Sequence, residues 1–257
     1  IKLVDSLPPA APLDAHSLAH NPALAAIFYS PSSLQDIISH DTELKSYGRS
    51  RRVNQDGVNA LVLVNTRQKR TLGSALVDGE TRKDVAQTTI DFHDQRFIAP
   101  SPSEAETRDL LKRRAFDQLL TVALAQITNQ SQERKELQAH RAVLLSKLKL
   151  LTRSGGFAHQ HGLEEQADLQ NKMETIEQQL AGLGPDEAVI PSNMAMVADV
   201  LETAAEQLWA ERKHYCIDRY YVVHDHPTKA VPAIEFLELH SSAAEPVLVH
   251  LVRLVQS

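Results

Sequence analysis

Two leucine-rich stripes separated by a glycine-bearing break constrain this chain more than any other feature. The first runs Leu137, Leu144, Leu148 and Leu151, with Arg141 at the intervening heptad position; the second runs Leu169, Met173, Ile176, Leu180 and Leu183. Spacings that alternate between four and three put each set on one narrow face of a helix, and such a face is usually satisfied by another helix. Between the stripes lies "RSGGFAHQHG" (residues 153–162), whose glycines disfavour a helix interior. The pattern predicts an antiparallel helical hairpin.

The helical texture begins earlier. In "SPSE", Ser101 is placed to cap a helix, Pro102 to take its first position and Glu104 to complete a capping box. Behind it come Leu110, Leu111 and Phe116, then Leu120, Leu124 and Ile127, before the polar run "TNQSQERKE" interrupts the stripe at residues 128–136. The segment is either one helix of more than roughly forty residues or two helices with a break. "GLGPDEAVIP" closes the hairpin, and a further helix capped by Ser192 carries Val197, Leu201, Ala204 and Leu208.

On both sides of this helical block the texture is that of strands. "VNALVLVN", "TLGSALV" and "VAQTTIDFHD" read as three or four strands separated by charged turns, and "HYCIDRYYVVH", "AIEFLEL" and "PVLVHLVRLV" as a three-strand meander. The economical arrangement is an α+β fold: one antiparallel or mixed sheet built from N-terminal and C-terminal halves, interrupted by a long helical insertion containing the hairpin. The boundaries read as an N-terminal helical arm over 1–44, the first part of the sheet domain over 45–100, the helical region over 101–213 and the second part of the sheet domain over 214–257. In the arm, Asp14 can cap a helix and Ser30-Pro31 can start another.

Composition narrows the functional classes. A hydrophobic content of 42% over 257 residues supplies a real core. A net charge of −6 argues against coating nucleic acid through global charge, and 5% aromatics leave little for a base-stacking platform. One cysteine, Cys216, permits no intramolecular disulfide and suits a reducing, cytoplasmic setting. No run is long and apolar enough for a transmembrane segment. The chain opens on Ile1 and not on methionine, which points to a truncated or processed N-terminus.

The most site-like stretch is "YYVVHDHP", Tyr220 to Pro227. His224 and His226, two positions apart at a strand end, would share a side as metal ligands must, and His93 of "DFHD" could join them if both halves form one sheet. Pro227 and the following "TKAVP" favour a polar turn instead. His159 and His161 repeat the spacing in the hairpin loop, and Cys216 has His214 two residues away as a candidate base. Lys45, Arg49, Arg51, Arg52, Arg67, Lys69 and Arg70 form a basic stretch in an acidic chain. Within it Arg49, Arg51, Arg52, Lys69 and Arg70 are the candidate anion-binding set. Phosphate-loop, dinucleotide, nucleophile-elbow and zinc-protease motifs do not occur.

No catalytic residues stand out and no cofactor is favoured. The reading that results is a non-enzymatic protein–protein interaction or scaffold protein, whose seam residues Leu137, Leu144, Leu148, Leu151, Leu169, Met173, Ile176 and Leu180 serve a protein partner or self-association. One alternative is a metal-binding protein or metal-dependent hydrolase using His224 and His226. The other is an anion or nucleic-acid binder using the basic 45–70 region.

Overall fold

The computed structural model describes residues 2–50, 57–77, 80–153, 160–184 and 189–255. The chain divides into two compact units: Ile1–Asp117 together with Ala205–Ser257, and Gln118–Ala204.

The first unit is built on a mixed sheet that both halves of the chain share, with seven strands among the described residues. Short helices α1 (Lys2–Asp5), α2 (Ala15–His20), α3 (Pro22–Phe28), α4 (Pro31–His40) and α5 (Thr42–Ser50) precede and surround strand β1 (Ala11–Leu13). Two long strands, β2 (Val58–Val77) and β3 (Glu80–Ser101), follow, and after the helical region come β4 (Leu208–Ile217), β5 (Val222–His224), β6 (Ala233–Ser241) and β7 (Ala244–Leu254). The antiparallel pairing runs β7-β2-β3-β5-β4-β6 and returns from β6 to β7, so these strands close into a ring. The C-terminal end of β7 extends past β6 and takes β1 in parallel, Ala11 to Leu13 beside Val252 to Leu254.

Alternation along the strands makes two faces. Ala60, Val62, Val64, Ile90, Phe92, Tyr215, Ile217, Ile234, Phe236, Leu248 and Val252 share a core with Leu18, Leu24, Ile27, Phe28 and Leu34 of α2 to α4. The N-terminal helices are therefore part of the sheet's core and not a loose arm: Leu24 and Phe28 are fully buried, and the Tyr221 hydroxyl donates to the Ala26 carbonyl at 3.1 Å. The opposite face packs Leu61, Ala99, Val249 and Leu251 against Val4 of α1 and against Leu111. Each fully buried large side chain contributes about 1.5–3 kcal/mol of transfer free energy.

Helix starts follow the local chemistry. Asp14 accepts from Ser17 N at 2.7 Å while Ser17 Oγ accepts from Asp14 N, a reciprocal cap for α2, and Ser30 Oγ accepts from Ser33 N ahead of Pro31 to start α4. Asp41 works twice: one carboxylate oxygen caps α5 at Leu44 N, and the other takes Phe97 N, while Glu43 takes Ala99 N. Ala99 lies at positive φ where β3 bulges, and Asp41 and Glu43 at the start of α5 supply the acceptors for the Phe97 and Ala99 amides.

Three expectations shift. β2 is one continuous strand, because the "TRQKR" expected to turn keeps pairing with β3, and the pairing runs on to Val77 opposite Glu80. The cap of the long helix is Ser103, whose Oγ accepts from Glu106 N, since Ser101 still belongs to β3 and its hydroxyl contacts Thr107 Oγ1 at 2.7 Å. Glu104 instead accepts from Ala10 N and from Arg108. Leu208 opens β4 and does not extend a helical stripe.

The long helix is unbroken: α6 (Glu104–Arg153) has 50 residues, about 75 Å of helix. From Gln118 it belongs to the second unit, with α7 (Gln160–Gly182) and α8 (Val189–Glu202). A four-residue turn of helix, α9 (Ala204–Gln207), precedes β4.

Candidate functional site

In the second unit the two leucine stripes meet. Leu144, Leu169 and Ile176 are buried together with Leu137, Leu148, Leu151 and Leu180 packed around them, and Met173 is half-buried. Arg141 donates to Glu177 Oε1 at 2.9 Å across the same pair of helices. Near the other end of α7, Arg134 donates to the carbonyls of Leu183 at 2.5 Å and Gly184 at 2.7 Å, satisfying acceptors that a helix C-terminus leaves open. The seam residues of α6 thus pack against those of α7 in the same chain. His161 falls in the backbone of α7, and the hairpin loop with His159 lies outside the described residues.

Apolar surface is exposed elsewhere in this unit. On α8, Ile190, Met194, Val197 and Leu201 recur at four-three-four spacing. Ile190 and Met194 are 74% and 69% exposed, Val197 and Leu201 half-buried, while Val200 one step round the helix is fully buried. On α6, Leu119, Val122 and Ala123 are buried, whereas Leu124 is 62% exposed. α8 bears no charged side chain from Val189 to Ala198. Sequence periodicity had placed Val197 and Leu201 on one stripe but gave no reason to expect its first turn to be uncovered.

The histidines of "YYVVHDHP" sit otherwise than a metal site requires. Asp218 organises the turn between β4 and β5: its Oδ1 accepts from Tyr220 N at 2.8 Å and Val222 N at 3.0 Å, and its Oδ2 lies 3.2 Å from His224 Nε2. Although burial opposes it, these hydrogen bonds, His224's above all, hold the Asp218 carboxyl below its ordinary value. His224 is the clamp of a turn, and His226 is exposed in the loop beyond it. The two halves share a sheet, yet His93 does not reach His224. β5 meets β3 at Thr88 and Thr89, which leaves His93 about 20 Å along β3 from the position beside His224. Among the described residues no group of three His, Cys, Asp or Glu side chains could hold a metal ion. Cys216 is buried, and His214 lies 3.3 Å from Glu235.

No family model, curated protein or solved structure matches the chain.

The basic stretch splits by strand length. Lys45 and Arg49 belong to α5, near the start of β2, whereas Arg67, Lys69 and Arg70 lie exposed farther along it, Lys69 about 35 Å from Val58. Arg51 and Arg52 lie outside the described residues.

One cluster escaped the sequence reading. Glu238 is buried on the core-facing parity of β6, with Lys213 Nζ at 3.0 Å and His240 Nε2 at 3.1 Å, and Trp209 stacks on His240 with ring centroids 5.1 Å apart. Its hydrogen bond to Glu238 holds the Lys213 ammonium above its ordinary value. The signal was present in "AIEFLELH": Ile234 and Phe236 point inward, and the same alternation carries on to Glu238 and His240. A cavity of about 250 Å³, lined by Leu7, Pro8, Arg212, Glu235, Leu237 and Val249 among others, lies on the opposite parity of these strands.

Proposed function

We propose that the protein is a non-enzymatic interaction protein whose helical unit packs against the helical unit of a second copy. The observation that supports this is the apolar stripe on α8, with Ile190 and Met194 exposed and Val197 and Leu201 half-buried, together with exposed Leu124 on α6 of the same unit. An isologous contact requires a surface that tolerates itself, and an uncharged stretch from Val189 to Ala198 brings no like charges together across a two-fold axis. Covering Ile190 and Met194 would each contribute about 1.5–3 kcal/mol of transfer free energy per copy. Ala195 and Ala198 beside the stripe let two helices approach closely.

The test is sedimentation equilibrium of the full chain and of the double variant Ile190→Lys, Met194→Lys. The parent is expected to sediment as a dimer and the variant as a monomer with an unchanged circular dichroism spectrum, since both side chains are exposed. A parent that stays monomeric at the highest soluble concentration sinks the reading.

A further inference from the structure

The β2–β3 hairpin is much longer than the sheet it joins. Pairing of β2 with β7 ends at Val64, and β5 covers β3 only at Thr88 and Thr89. From Arg67 to Val77 and from Glu80 to Gln87, each strand has only the other as a ladder partner among the described residues. A two-stranded ribbon of this kind buries little, so few of its side chains are needed to fill a core.

The register from Asn65 opposite His93 to Gly73 opposite Val85 is unbroken, so the side chains of the ribbon sort cleanly by parity. One face carries Gln68 with Ile90 and Thr66 with Phe92, and runs into the core of the sheet. The other face carries Asn65, Arg67, Lys69 and Thr71 on β2, and His93, Asp91, Thr89 and Gln87 on β3. Every one of these eight positions bears a hydrogen-bonding or charged group. Arg67, Lys69 and Thr71 are exposed, and Arg70 is exposed on the opposite side of the same ribbon. At Gly73 the Gln87 carboxamide occupies the space that a β-carbon would need, which keeps this polar face continuous past Thr71.

Charge favours one class of partner. Residues 65–73 and 85–93 hold Arg67, Lys69 and Arg70 against one carboxylate, Asp91, in a chain of net charge −6, and the Asp94 carboxylate beyond them accepts from Asn65 Nδ2 at 3.3 Å. The Asp91 carboxylate already accepts from the Tyr29 hydroxyl at 3.2 Å. Six residues of antiparallel strand span about 20 Å, and a two-stranded ribbon is an element that the roughly 12 Å major groove of B-form DNA admits. Arg and Lys supply phosphate contacts, while Asn, Gln and Thr are the side chains that read base edges.

We infer that the β2–β3 ribbon is a binding element for duplex DNA, seated in the major groove through the face that carries Asn65, Arg67, Lys69, Thr71, Gln87 and Thr89, with Arg70 reaching a flanking phosphate. This is independent of self-association through α8.

Fluorescence anisotropy of a labelled mixed-sequence duplex of about 24 base pairs tests it. Affinity should fall with rising salt with a log–log slope of about −2 to −3, the value for three phosphate contacts. The triple variant Arg67→Ala, Lys69→Ala, Arg70→Ala should bind at least about tenfold more weakly with a flattened slope. A charge-preserving variant, Arg67→Lys with Arg70→Lys, should keep the slope, and Lys147→Ala with Lys172→Ala on the helices should bind as the parent does. Binding that is absent or insensitive to salt, a triple variant that binds like the parent, or an equal loss in the helix variant would each overturn the assignment.

Discussion

His250 shows how one side chain couples the core to pH. It lies on the inward parity of β7 between Leu248 and Val252, opposite Val62, and burial pushes its imidazole below the ordinary value of 6.5. The folded state therefore holds His250 neutral while the unfolded chain protonates it near 6.5. The unfolded state binds the extra proton, so stability is full above that value and declines as pH falls from it toward the depressed folded value. Urea midpoints measured between pH 5 and 7.5 should fall toward the acid end, and His250→Gln should flatten that dependence; an unchanged slope would remove His250 as the cause. Neither this burial nor the Glu238 cluster could be seen from composition. What was legible was parity, because "AIEFLELH" and "PVLVHLVRLV" both set a polar residue among inward-pointing apolar ones. Whether such a residue meets an ion-pair partner, as Glu238 meets Lys213, or meets none depends on the neighbouring strand, and no single strand's sequence contains that.

Among the elements, the helices were the most readable and the long strands the least. Four-three spacing names a seam, and the structure closes α6 on α7 along it, with Leu144 and Ile176 4% and 5% exposed. Leu144→Ala should therefore cost about 2–4 kcal/mol through the cavity it leaves. Leu150→Ala, at a side chain 66% exposed, should stay within about 0.5 kcal/mol of the parent, as read from urea unfolding followed on the helical signal. Equal effects at the two positions would contradict the seam. β2 was harder because Arg67 to Arg70 reads as a charged turn. From Arg67 to Arg70 the side chains of β2 are exposed on both of its faces, so apolar alternation, the usual signature of a strand, is missing there. The cap at Ser103 was displaced from Ser101 for a related reason: β3 continues two residues further than its hydrophobic run, until the Ser101 hydroxyl reaches Thr107.

For the whole molecule, the shared sheet was foreseen from the order of textures, strands then helices then strands. Its closure into a ring was not, since β5 is three residues long and is defined only by what lies on either side of it. The two units also differ in how much they bury. The sheet's core draws on β2, β3, β4, β6 and β7 as well as α2 to α4, whereas α7 buries only Leu169 and Ile176 among its described side chains. Local opening follows buried apolar contact, so amides of Val62 and Val64 should exchange only on global unfolding, and those of α7 orders of magnitude sooner. Hydrogen exchange resolved by fragment would show it, and uniform protection across both would rule it out. Among the described residues no helix is long and apolar enough to cross a membrane.

The parallel contact between β1 and β7 has a mechanical meaning. Ala11 to Leu13 run beside Val252 to Leu254 in the same direction, one near each end of the chain. Tension applied to the two termini would drag these neighbours past each other lengthwise, so that their hydrogen bonds share the load and fail together. Antiparallel terminal strands would instead peel one bond at a time. A tethered molecule of this design would yield abruptly under pull.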